Sequence, residues 1–280
     1  MKSSAAIVRA FLAFVAVTVI QMFAGMLLIA PTKTAEPPNA ALWLLLSNAL
    51  AVAALSVVAL RSNWRGWKLG AAVAAVPTTI AFADVIEGAF FLTNSAVDWP
   101  RLFAFAILSW ALTMPVWMFL FGRRPDVPQQ QYFPIASKAR SERIWKFIVS
   151  DLVYILLYIV AGTIVFPFVK DFYATQQVPS MPKIFAMQLL VRGPIFAVLC
   201  LALVRMLGLP RLGGALAVGA LFAILSGVTP LLIPNPIFPD ALRWAHMCEV
   251  TSSNFVFGTF VAWLWGQPKP AQSQSLRQAA

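Results

Sequence analysis

Long apolar runs alternate with short polar, basic or proline-rich connections along this chain. Eight runs stand out, at about 8–30, 42–60, 67–92, 100–122, 145–168, 184–207, 211–233 and 241–266. Each is near the roughly 20 residues a helix needs to cross bilayer hydrocarbon. Backbone N–H and C=O groups find no water in that layer, so every run is predicted to be helical. Prolines mark several ends: Pro31 and Pro37–Pro38 after the first run, Pro100 at the fourth, and Pro234, Pro236 and Pro239 between the last two. Pro77, Pro115 and Pro194 fall inside runs, where kinks are tolerated and often useful. Lys2 and Arg9 precede the first run as they would in a secretory leader. Its apolar core is too long for one, and no small-x-small cleavage pattern follows, so a retained helix is expected. The fold class read from the pattern is all-α: a polytopic integral membrane protein with eight transmembrane helices.

Composition agrees. Hydrophobic residues make up 60%, charged residues 11%, and the mean hydropathy is +0.80, far from the roughly 25% charged residues of a soluble domain. The net charge of +11 does not point to nucleic acid, because the basic residues gather in alternate connections. Of the 21 Lys and Arg, 15 fall in the amino terminus, the 61–68 loop, the 123–146 segment, the 205–211 turn and the tail. The opposite side holds Lys33, Arg101, Lys170, Lys183, Arg192 and Arg243. This bias predicts cytoplasmic amino and carboxyl termini in the cytoplasmic (inner) membrane of a bacterium. Cys200 and Cys248 both lie in apolar runs, so no disulfide framework is expected. The expected partners are the lipid bilayer, a small solute or ion, and a protein partner or second copy; no cofactor is predicted.

The chain divides into two tandem halves of four helices, 1–122 and 145–266. A basic, Pro- and Gln-containing cytoplasmic linker (123–144) joins them, and the polar tail 267–280 is expected to be disordered. Weak self-similarity supports the division. Ala24–Gly25 matches Ala161–Gly162, Lys68-Leu69-Gly70-Ala71 matches Arg211-Leu212-Gly213-Gly214, and Arg101 matches Arg243, at offsets of 137, 143 and 142 residues. Four is even, so such halves share orientation and are related by an axis along the membrane normal.

Ionisable residues inside a membrane cost about 2.5–3.5 kcal/mol each at a helix centre, so each one needs a reason. Asp84 and Glu87 lie three residues apart on the third run, and His246 and Glu249 do the same on the eighth, so each pair shares a helical face. Counted from the predicted ends, these four and Arg192 fall at one depth in the outer half of the bilayer. Together they form the candidate ion- or substrate-binding group, with Asn254 as a candidate path-lining residue. A structural ion-pair network explains the same residues without chemistry. A metal is a further reading of Asp84, Glu87, His246 and Glu249, against which stands the single histidine of the chain. Asp151, near the cytoplasmic end of the fifth run, is expected to pair with Lys146 or snorkel. Ser252 and Ser253 are expected to bond across helices. Arg192-Gly193-Pro194 places a charge beside two helix-loosening residues, a device that frees carbonyls at transporter sites.

No phosphate-binding loop, H-E-x-x-H or G-x-S-x-G occurs. Gly66, Gly70, Gly213, Gly214 and Gly219 are read as helix-packing positions. The leading expectation is a secondary transporter or permease for a small solute or ion. The alternatives are a non-catalytic membrane subunit or assembly factor, and then a membrane enzyme acting on a lipid-like substrate.

Overall fold

A computed structural model of the protein describes residues 3–29, 39–92, 97–122, 140–175, 178–234 and 239–266. Most of the linker, the tail from 267, Lys33 and Pro236 lie outside the described residues. The described chain is helical and contains no strand. We label its helices α1 (Ser3–Leu28), α2 (Ala40–Arg61), α3 (Gly66–Phe91), α4 (Trp99–Ala111 continued by Met114–Phe121) and α5 (Arg140–Ala174). They are followed by α6 (Met181–Leu207), α7 (Arg211–Leu232) and α8 (Asp240–Trp265). Among the described residues, α1 to α7 are long and apolar enough to cross a membrane. The 26 residues of α8 span about 39 Å at 1.5 Å each. Its first half is more polar, carrying Asp240, Arg243, His246 and Glu249.

Cross-links at the two ends show that successive helices run end to end in opposite directions. At one end, Asn63 N–H donates to the Met206 carbonyl and Gly66 N–H to that of Gly122. There too, Arg211 Nε bonds the Trp263 carbonyl and Trp265 Nε1 bonds Ser150 Oγ. This is the linker end. At the opposite end, Ser47 Oγ donates to the Thr229 carbonyl, and the Trp43 and Trp244 rings meet edge to face at 6.0 Å.

The helices depart from the sequence expectation where polar chemistry extends or interrupts them. α5 begins at Arg140, inside the stretch read as linker, because Glu142 and Lys146 pair at 2.9 Å one turn apart and carry the helix past the apolar run. α4 is interrupted just before Pro115, between Ala111 and Met114. Thr113 repairs the break, its hydroxyl donating to the Trp110 carbonyl at 2.6 Å and accepting from Trp117 Nε1 at 3.0 Å. Pro77 lies within an unbroken α3. Two short π-helical turns, Gln188–Arg192 in α6 and Ala223–Val228 in α7, were not anticipated.

Packing within the second half is closest between α7 and α8. A Cβ on Gly219 would stand 2.6 Å from the Phe255 carbonyl oxygen, and one on Gly258 would meet Gly219 Cα at 3.0 Å. Gly70 is equally committed, against the Met114 carbonyl at 2.7 Å. Gly66 and Gly213 are not packing positions: a Cβ on either would meet nothing within 4 Å. At Gly66 the glycine serves the backbone instead, since its φ of 55° is left-handed and costs other residues energy.

Arg243 holds the junction between α7 and α8. It is 2% exposed, and its Nη1 bonds the Leu231 and Leu232 carbonyls, each at 2.9 Å. These are terminal carbonyls of α7, which have no acceptor role left inside their own helix. Its ion pair with Asp240 contributes little, since that carboxylate is 78% exposed. Arg243→Met should therefore destabilise the protein by about 2–4 kcal/mol, the cost of two orphaned buried carbonyls. Asp240→Asn should cost a small fraction of that, and unfolding of the two purified variants in detergent would measure the difference.

Candidate functional site

Residues from α3, α5, α6 and α8 enclose one cavity. Arg192 is its organiser. This side chain, 7% exposed, places Nη2 at 2.6 Å from Asp84 Oδ1 and pairs Nη1 with Glu87 Oε2. A planar guanidinium can hold two carboxylates on two edges at once, which an ammonium cannot. The second Glu87 oxygen accepts from Gln188 Nε2 at 2.8 Å. Arg192 also lies over the Phe196 ring, 5.0 Å from its centroid.

The local sequence explains this convergence. Pro194 has no N–H to offer the helical ladder, and immediately before it the backbone widens into a π turn closed by Gly193 N–H on the Gln188 carbonyl. Such turns are rare and recur at functional sites. Here the widened turn carries Gln188 and Arg192, four residues apart, to the same carboxylate of α3.

On α8, His246 Nδ1 and Glu249 Oε2 are 2.9 Å apart. Glu87, Arg192, His246, Glu249 and Asn254 line the shared cavity together with Tyr154, Tyr158, Ser253 and Phe257. Its volume is ≈ 30 Å³, enough for a water molecule or two and too small for an organic solute. Three carboxyl groups thus meet one guanidinium and one imidazole around this small space. Beside the cavity, Arg192 Nε and Gln188 Oε1 are buried with no hydrogen-bond partner among the described residues. A donor and an acceptor left open in this way are what a bound water would satisfy.

Four aromatic rings close the cavity toward the linker end. Tyr154 packs edge to face on Phe196 (5.7 Å) and Phe257 (5.1 Å), and Phe222 meets Phe196 (5.3 Å) and Phe257 (6.1 Å). The four come from α5, α6, α7 and α8, all in the second half. All but Tyr154 are essentially inaccessible, and Tyr154 is 5% exposed.

The structure brings Asp84, Glu87, Arg192, His246 and Glu249 into one locus, with Asp84 behind Arg192 and the others on the cavity wall. Asn254 reaches the same wall and donates to Ser226 Oγ of α7 at 3.0 Å. Among the described residues, no group of three or more His, Cys, Asp or Glu has the arrangement of a metal site; the Arg192 guanidinium stands between Asp84 and Glu87. Ser252 and Ser253 do not bond across helices. Their hydroxyls return to carbonyls of their own helix, Ser253 to Glu249 at 2.8 Å, the alternative open to any serine in apolar surroundings.

Asp151 is a clear departure. It neither pairs with Lys146 nor snorkels: Lys146 is held by Glu142, while Asp151 is 8% exposed and its Oδ1 has no hydrogen-bond partner among the described residues. Sequence reasoning also passed over Gln188, Tyr154 and Tyr158. Gln188 was findable, since it lies one turn from Arg192; the tyrosines carry no charge to draw attention. Comparison with known proteins places the chain in no group: no family, curated protein or solved structure matches it.

Proposed function

We propose that the protein is a secondary transporter of eight spanning helices whose coupling ion, a proton or small cation, binds between Glu87 and Glu249. The observation that carries this reading is the water-sized cavity into which both carboxylates, Arg192 and His246 converge. The carboxylates there attract a cation, while Arg192 offsets part of the cost of burying them. His246, hydrogen-bonded to Glu249, holds that side chain at the cavity wall. The aromatic layer acts as a closed gate toward the linker end. By the distribution of basic residues, that end faces the cytoplasm of a bacterium.

Helix α8 is the eighth span in this reading, and the two halves are parallel repeats. Neighbour relations support this. In the first half α1 packs on α2 and α4, and α3 on α4; in the second, α5 packs on α6 and α8, and α7 on α8. The main contacts between halves join α2 to α7, α3 to α6, α3 to α7 and α2 to α6, a set unchanged when the halves are exchanged. Asp98 pairs with Arg101 at the start of α4 as Asp240 pairs with Arg243 at the start of α8, and each pair of positions differs by 142. At the same offset Glu87 corresponds to Thr229. Ser47 of α2 bonds the Thr229 carbonyl where Gln188 of α6 bonds the Glu87 carboxylate. The charged site therefore occupies one of two related interfaces, and the other carries neutral polar groups.

The test needs no known substrate. The unfolding temperature of purified wild-type protein, from about pH 5 to about pH 8 with sodium or potassium present, should shift with occupancy of the site, since a ligand of the folded state stabilises it. Glu87→Gln/Glu249→Gln should fold and lose that shift. A double variant with an unchanged response would remove the ion-coupling reading and leave a static membrane subunit.

A further inference from the structure

Asp151 is a buried carboxylate that the proposed cavity does not use, and its surroundings are specific. Its Oδ1 points into the space where Gly193 has no side chain: a Cβ there would collide with Oδ1 and lie 3.0 Å from the Gln188 carbonyl oxygen. A carboxylate in that niche has no donor to accept from, whereas a carboxylic acid has an O–H to give to a carbonyl.

Among the described residues, no cation stands close by to balance it. On α5, Lys146 is held by Glu142 and the remaining titratable neighbours are Tyr154 and Tyr158. On the packed face of α6, Arg192 is held by Asp84 and Glu87, with Cys200 and Arg205 further along; on α8, His246 and Glu249 hold each other.

Phe147, Asp151, Tyr154 and Tyr158 stand at i, i+4, i+7 and i+11, a single stripe along α5. Phe147 lines an open cleft at the linker end together with Arg140, Arg143 and Trp265. Tyr154 and Tyr158 line the cavity of Glu87 and Glu249. Along α5, Asp151 lies between the two, one turn from each, and it meets α6 at Gly193, one turn before Phe196.

We propose that Asp151 is a second proton-binding site, filled from the linker-end cleft. A hydronium ion there breaks one O–H bond and leaves as water while its proton forms an O–H bond at Oδ1, and the neutral acid donates to the Gln188 carbonyl. The proposal deepens the transport reading, whose ion path would then have a further proton-binding group between the linker-end cleft and the cavity.

The test is the pH-difference infrared spectrum of the full-length protein reconstituted in phospholipid. Wild type should gain the C=O stretch of a buried carboxylic acid as pH falls. Asp151→Asn, which keeps the shape and can donate to the same carbonyl, should lose that band. The Glu87→Gln/Glu249→Gln protein should retain it, so failure of the cavity reading is seen separately from failure at Asp151. If Asp151→Asn does not fold, Asp151→Ser gives the same spectral test. A band that survives removal of the Asp151 carboxyl, or wild type without any such band, overturns the proposal.

Discussion

Replacing Arg192 by Leu should lower stability by about 3–5 kcal/mol, the cost of leaving buried carboxylates without their cation. Asp84 and Glu87 both depend on this guanidinium, and Gln188 alone cannot replace its charge. Adding Asp84→Asn and Glu87→Gln to Arg192→Leu should recover much of the loss, because the stranded charges are then gone. Arg192→Lys should fall between, since one ammonium cannot face two carboxylates on separate edges. Reversible unfolding of the purified proteins gives the complete cycle. Recovery by the neutralised triple variant identifies the charge imbalance as the cause of the loss. An Arg192→Leu protein as stable as wild type would mean that the ion triad does not hold the bundle.

The helices and their rough ends were legible because hydrocarbon leaves the backbone a single solution, and apolar run length then reports it directly. The convergence of Asp84, Glu87, Arg192, His246 and Glu249 was legible for a related reason. Charges in that layer are costly enough to be kept together, and counting residues from each end gives depth. What depth cannot give is rotation about each helix. That is why the sequence does not single out Gln188, Tyr154 and Tyr158, and why it leaves Asp151 to pair with Lys146 or snorkel when the carboxyl turns toward Gly193 instead. The π turn at Gln188–Arg192 left only Pro194 as a trace, and Pro77 shows that such a trace is ambiguous: the same residue type leaves α3 unbroken. Glycine spacing was likewise ambiguous. Gly213 and Gly219 share a helix, yet only Gly219 sits at a crossing.

Gly227 offers the sharpest use of that difference. It lies in the π turn of α7, and a Cβ there would stand 2.6 Å from Thr251 Cα and 2.8 Å from Thr251 N. Both are backbone atoms of α8, so no rotamer change relieves the clash and the two helices must separate. Overpacking of this kind costs about 1–3 kcal/mol. Thr251 is two residues from Glu249, so the displacement also carries the His246–Glu249 pair away from Arg192 and Glu87. Gly227→Ala should therefore lose stability and blunt the pH- and cation-dependent shift in unfolding temperature together, although no ionisable group has changed. Gly213→Ala in the same helix, where a Cβ meets nothing within 4 Å, should gain about 0.4–1 kcal/mol from the stiffer unfolded chain and leave the shift intact. If Gly227→Ala keeps the full shift, the cavity does not depend on how α7 and α8 cross. If it loses the shift while Gly213→Ala keeps it, the close approach of these two helices positions the ion site.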